Sequence, residues 1–113
     1  MRTVVVSQRV DIIPGRGERR DALDQRLSAW LASAGYLAVP MPNLYVGPRV
    51  DSLRLWLEAV QPSAVLLSGG NDIGACPERD ATEHGLLQWA ETQALPVLGI
   101  CRGMQMLGMH GGA

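Results

Sequence analysis

The 113-residue sequence holds only two cysteines, two histidines and a formal charge of −1. Each shortage removes a class of function. Cys76 and Cys101 are too few for a disulfide framework, and neither they nor the distant His84 and His110 form a metal-ligand spacing. The residues therefore point to no metal and no cofactor, and to a reducing, cytoplasmic location. Acidic and basic residues are mixed along the chain, so there is no footprint for nucleic acid or an anionic membrane surface. No apolar run approaches the roughly 20 residues that span a bilayer. The opening stretch from Met1 to Gln8 has one charge and too short an apolar run for a signal peptide, and reads as a strand. There is no internal repeat and no low-complexity segment.

What is present is a chain 47% apolar, enough for one folded domain over residues 1–113. Arg2 to Gln8 reads as a Val-rich strand, and Arg9 to Gly17, with Pro14-Gly15, as a loop. Leu23, Leu27, Trp30 and Leu31 recur at helical spacing, which predicts a helix from Glu18 to Ala34, stopped by Gly35. Tyr36 to Pro40 is a short second strand, and Pro42-Asn43 and Gly47-Pro48 bracket a loop. Asp51 caps a helix through Val60, with Leu53, Trp56, Leu57 and Val60 inward. Ala64 to Leu67 is a third strand. Asp80, with Glu83 three residues on, has capping-box spacing and opens a helix to about Thr92, with Leu86, Leu87 and Ala90 inward. Pro96 to Ile100 is the fourth strand. Strand and helix alternate, so the fold class is α/β, with a parallel sheet flanked by helices.

Two motifs carry chemistry. The first is the run Pro96-Val97-Leu98-Gly99-Ile100-Cys101-Arg102-Gly103, followed by the helix-forming Met104, Gln105, Met106 and Leu107. An apolar strand feeding Gly-x-Cys-x-Gly and then a helix is the pattern of a nucleophile elbow, with Cys where hydrolases place Ser. Gly99 and Gly103 permit a tight turn and close helix–strand packing. A thiol at a helix start is favoured as thiolate by the positive end of the helix dipole. The competing reading is a buried structural cysteine, the commoner fate of the residue. The second motif is Ser68-Gly69-Gly70-Asn71-Asp72, emptying from the third strand. Paired glycines let backbone N–H groups face a ligand. If this strand neighbours the elbow strand, Gly70 and Arg102 N–H groups converge on one oxyanion at the carboxyl edge of the sheet. Alone, the loop reads as ordinary turn chemistry.

Together the two motifs resemble the class I glutamine amidotransferases, a flavodoxin-like α/β family, and within them the γ-glutamyl amide hydrolase branch that includes the γ-glutamyl-γ-aminobutyrate hydrolases. Ser7-Gln8-Arg9, the run from Arg19 to Asp24, and Pro40-Met41-Pro42-Asn43 are similar to the N5-(cytidine 5′-diphosphoramidyl)-L-glutamine hydrolases of capsule biosynthesis. The resemblance implies that Cys101 attacks a γ-amide carbonyl to give a γ-glutamyl thioester, with Gly70 and Arg102 as oxyanion donors. It implies that Gln105, with Gly69 and Asn71, holds the glutamyl end, and that Gln8 and Arg9 line the leaving-group side. From the residues alone, Gln105 reads as readily as a capping glutamine and Arg9 as a solvated arginine.

Family members take a His and a Glu or Asp from a later segment to move the thiol proton. His110 follows the elbow too closely and His84 opens a different helix, so the chain reads as the N-terminal half, inactive alone, its elbow strand left with an unpaired edge. The partners implied are a small γ-glutamyl amide and, as further readings, a synthetase that receives ammonia or a complementary C-terminal half. A non-catalytic fragment is a third reading. An unrelated redox or chaperone thiol protein is a fourth, disfavoured by Gly69-Gly70 and Gln105.

Overall fold

A computed structural model of the chain describes residues 2–43, 50–100, 103, 106 and 108. Four parallel strands form the main sheet: β1 (Arg2–Val6), β4 (Tyr36–Pro40), β5 (Ala64–Leu67) and β6 (Val97–Gly99), in the order β4-β1-β5-β6. Helices α1 (Gln25–Ser33), α2 (Val50–Val60) and α3 (Pro77–Gln93) connect them. This is the flavodoxin-like arrangement, in which strand order turns outward from the first strand.

Alternation along the strands sorts side chains onto two faces. Val4, Val6 and Leu66 pack with Leu31 of α1, flanked by Leu27 and Ile100. Val5, Val65 and Leu67 pack on the other face with Leu53 and Leu57 of α2, Leu86, Leu87 and Ala90 of α3, and Met106. Strands buried on both faces need near-continuous apolar sequence, and Val4-Val5-Val6 and Val65-Leu66-Leu67 supply it. The inward set anticipated for α3 packs as expected, and of the α2 set Leu53, Trp56 and Leu57 join the core while Val60, at the end of the helix, does not. Helix α1 ends as its sequence predicts, with Gly35 at φ +87° just past the Ala34 cap.

The stretch after β1 departs from expectation. Residues 9–22 form an antiparallel hairpin, with β2 (Arg9–Ile13) paired to β3 (Glu18–Ala22) in the register Arg9↔Ala22 to Ile13↔Glu18. The predicted loop over Arg9–Gly17 shrinks to the turn at residues 14–17, and the predicted helix from Glu18 starts at Gln25. Strong helix formers in Glu18-Arg19-Arg20 yield to tertiary pairing, because the hairpin is fastened down along its length. Asp21 accepts from the Asn43 backbone N–H (3.0 Å) and side-chain amide (3.0 Å), Asn71 brackets Val10, and Arg19 pairs with Glu78. Asp24 is the true N-cap of α1, accepting from the Arg26 N–H at 2.9 Å.

Helix α3 also starts earlier than predicted. Pro77 takes the first turn, where its missing N–H costs nothing, and Cys76 is the cap residue. Asp80 accepts from the Gly74 N–H at 2.9 Å, and Glu83 points inward rather than closing a capping box. The Asp51 side chain, the Gly47-Pro48 loop, Met104, Leu107 and His110 lie outside the described residues. Among the described residues no helix is long and apolar enough to cross a membrane.

Candidate functional site

The chemistry predicted from sequence requires the third and fourth parallel strands to be neighbours. They are: β5 pairs with β6 in the register Val65↔Val97, Leu66↔Leu98 and Leu67↔Gly99. The pairing continues one step further, where the Ile100 N–H donates to the Leu67 carbonyl at 2.9 Å. The Ser68-Gly69-Gly70 loop and the turn after Ile100 therefore leave the sheet side by side at its carboxyl edge. The Gly103 N–H donates to the Ile100 carbonyl at 2.9 Å. Gly103 is buried, and a Cβ there would overlap the Leu67 carbonyl oxygen and lie 2.8 Å from the Leu67 Cβ. The second glycine of the elbow is thus required by close helix–strand approach. Cys101, Arg102 and Gln105 themselves lie outside the described residues.

The glycine loop is left-handed at two consecutive positions, Gly70 at φ +86° and Asn71 at φ +53°. Gly70 is confined twice over, since an added Cβ would also meet the Arg9 Cδ at 2.9 Å. Beside the loop lies a cavity of about 690 Å³, lined by Arg9, Leu27, Trp30, Gly69, Gly70 and Ile100 among others. Arg9 lies at its rim, its guanidinium 3.1 Å from Asp11 with both side chains half exposed. Gln8 turns to β4 instead, donating to the Met41 carbonyl at 3.0 Å. Asn71 spends its polar atoms on the hairpin: Oδ1 accepts from Val10 N–H (2.8 Å) and Nδ2 donates to the Val10 carbonyl (3.1 Å). The structure thus brings Arg9, Gly69 and Gly70 to one cavity and uses Gln8 and Asn71 as fasteners.

Sequence reasoning overlooked a buried polar cluster behind the loop. Arg79 and Glu83, one helical turn apart on α3, are fully buried and 3.5 Å from each other. The Ser7 hydroxyl donates to Glu83 Oε2 (2.6 Å) and accepts from the Ser68 N–H (2.9 Å), while Ser68 Oγ donates to the Ser7 carbonyl (2.6 Å). Arg79 Nη2 donates to the Ser68 carbonyl (2.7 Å), and Nη1 to the carbonyls of Gly69 (3.0 Å) and Gly70. A charged residue is rarely buried without such partners. The sequence signal was the Arg79/Glu83 spacing of four on a helix whose other inward positions are apolar.

Asp24, at the start of α1, is a strongly perturbed acid. The Arg26 guanidinium and backbone N–H hold the exposed Asp24 carboxyl down at about 2. Arg19 is raised above its ordinary value by the Glu78 carboxylate. Among the described residues no group of three His, Cys, Asp or Glu side chains gathers as a metal site.

With this geometry in place, comparison with known proteins is informative. The family model described as Peptidase C26 matches residues 16–113. A Mycobacterium tuberculosis protein named as a glutamine amidotransferase is 34% identical over 91 residues, covering 68% of this chain and 28% of that protein. A Nitratidesulfovibrio vulgaris protein named GMP synthase [glutamine-hydrolyzing] is 44% identical over 52 residues, covering 46% of this chain and 9% of that protein. The chain thus spans less than a third of the length of these relatives.

Proposed function

This chain belongs to the Peptidase C26 family, glutamine amidotransferase-like proteins, and on that premise we propose that it carries the nucleophile and oxyanion portion of a cysteine-dependent γ-glutamyl amide hydrolase. The observation that supports this most is the adjacency of the two strand ends: β5 and β6 are paired neighbours, and the Gly69-Gly70 loop leaves the sheet beside Ile100, the residue before Cys101 in sequence.

In the proposed reaction the Cys101 thiolate attacks the γ-carbonyl carbon. A C–S bond forms and the carbonyl π pair moves onto oxygen, where the Gly70 and Arg102 N–H groups receive the charge. Collapse expels the amide nitrogen, which leaves as ammonia or an amine once protonated. Water then cleaves the thioester, returning the thiol and a γ-carboxylate. Donors already aimed at the developing oxyanion supply roughly hundred- to thousand-fold each. Gln105 and Gly69 are proposed to hold the glutamyl end, and Arg9, at the cavity rim, to meet the leaving group. Asn71 and Gln8, whose amides are fastened to backbone, serve the site by holding its walls. The general base and its orienting acid are assigned to the part of the relatives' length that this chain does not span.

A second reading, a glutaminase unit that delivers ammonia to a synthetase, is favoured by the similarity to the protein named GMP synthase [glutamine-hydrolyzing]. The test of the first is covalent labelling. A γ-glutamyl chloroketone should modify Cys101, glutamine should protect it, and Cys101→Ser should abolish the adduct in the intact-mass spectrum. Equal labelling of the Cys101→Ser chain, or modification confined to Cys76, would refute the role. Steady glutamine hydrolysis by the chain alone would show that a base lies within these 113 residues.

A further inference from the structure

The glycine loop has two sides, and the buried one decides which way the other faces. A peptide unit is planar and, when trans, its C=O and N–H point in opposite directions. None of the described peptide bonds is cis. The carbonyls of Ser68, Gly69 and Gly70 all accept from the Arg79 guanidinium. The N–H groups on the same three peptide units, those of Gly69, Gly70 and Asn71, must therefore point away from Arg79. Ser68, Gly69 and Gly70 also line the cavity beside the loop.

We propose that Arg79 is a positioning residue for the oxyanion hole: by gathering three successive carbonyls of the loop, it aims the Gly70 amide at the reacting oxygen and turns the Gly69 amide to the bound substrate. This rests on the hydrolase reading above. An arginine is suited to the task because its planar fork presents several donors at fixed angles, so one side chain can hold several carbonyls at once. Its charge also lies at the carbonyl end of each peptide dipole, which favours that orientation and leaves the positive N–H ends outward. Two left-handed residues in succession are the backbone cost of the arrangement, borne by Gly70 and Asn71. Glu83 and Ser7 complete it. Glu83 balances the guanidinium, and Ser7 ties Glu83 to the Ser68 N–H, so the loop is gripped from α3 and from the residue that follows β1.

The test separates orientation of the amides from reactivity of the thiol. Glutamate γ-semialdehyde adds reversibly to a thiolate, and the resulting thiohemiacetal oxygen occupies the oxyanion position. Iodoacetamide alkylates the same thiol without forming an oxyanion. For the chain with Arg79→Lys, which keeps the charge but loses the fork, aldehyde affinity should fall about ten-fold or more, short of the loss of a whole donor. The rate of Cys101 alkylation by iodoacetamide should stay within about two-fold, since the thiol itself is untouched. A general structural defect would move both. Arg79→Met should be the more severe of the two.

Should the variants fail to fold, the unaltered chain decides. The Gly69 and Gly70 amide resonances should shift on aldehyde binding. Unchanged aldehyde affinity in folded Arg79→Lys and Arg79→Met, or unmoved Gly69 and Gly70 resonances, would overturn the assignment while leaving the hydrolase reading intact. Aldehyde binding that survives Cys101→Ser would refute the hydrolase reading itself.

Discussion

Adding one methyl group at Gly103 tests the packing on which the elbow depends. An alanine Cβ there would overlap the Leu67 carbonyl oxygen and stand 2.8 Å from Leu67 Cβ and 2.9 Å from its carbonyl carbon. Leu67 belongs to β5, an interior strand whose residues Val65, Leu66 and Leu67 are all buried, so it has nowhere to retreat. Overpacking against fixed backbone costs about 1–3 kcal/mol. The higher helix propensity of alanine returns at most about 1 kcal/mol. Gly103→Ala should therefore destabilise the chain by about 1–2 kcal/mol, lowering the melting temperature by roughly 4–10 °C.

Gly85, in the middle of α3, is the control. There a Cβ would meet Leu53 Cδ2 at 2.6 Å, the far end of a side chain that can change rotamer. Propensity gain and repacking cost then nearly cancel, and Gly85→Ala should shift stability by less than about 1 kcal/mol in either direction. Urea titrations with unchanged slope, alongside calorimetry, measure both variants. The argument fails if Gly103→Ala is as stable as the parent, or if Gly85→Ala is the more damaging.

Two further outcomes are expected. Asn71→Ala removes two hydrogen bonds to Val10 and replaces asparagine, which tolerates φ +53°, with a residue that does not, so it should cost about 2–3 kcal/mol of local stability, with faster amide exchange over residues 9–13 and 18–22 than over β1; unaltered exchange in the hairpin would refute the fastening role. The Asp24 carboxyl, held at about 2 in the folded chain against an ordinary 3.8, contributes stability that is whole above about pH 4 and is lost as pH falls toward 2. The melting-temperature gap between parent and Asp24→Asn should close across that window, and a gap independent of pH would count against the ion pair with Arg26.

How much of this could be read in advance depended on the range of the interaction. The four sheet strands, the inward faces of α2 and α3, and the stop at Gly35 were legible because each is written in local periodicity or in one turn residue. The close helix–strand packing expected of Gly103 is present, since it is pressed against Leu67. The hairpin over residues 9–22 was misread because Glu18-Arg19-Arg20 favour a helix locally, while the residues that fasten the hairpin at Val10, Arg19 and Asp21, namely Asn71, Glu78 and Asn43, are distant in sequence. Asp24, a residue of N-cap type six positions inside the predicted helix, was the available warning.

The sequence by itself determined the alternation of strand and helix and the identity of the residues at the chemical turn, because hydrophobic period and turn preference act over a few residues. Tertiary structure alone decided that β6 lies against β5 and that Arg79 stands behind the glycine loop. A buried guanidinium is tolerable only where carbonyls and a carboxylate surround it, and those groups come from the loop after β5 and from α3, with Ser7, just past β1, tying Glu83 to the loop. No local pattern announces that meeting, since it exists only once the sheet has brought its carboxyl ends to a common edge.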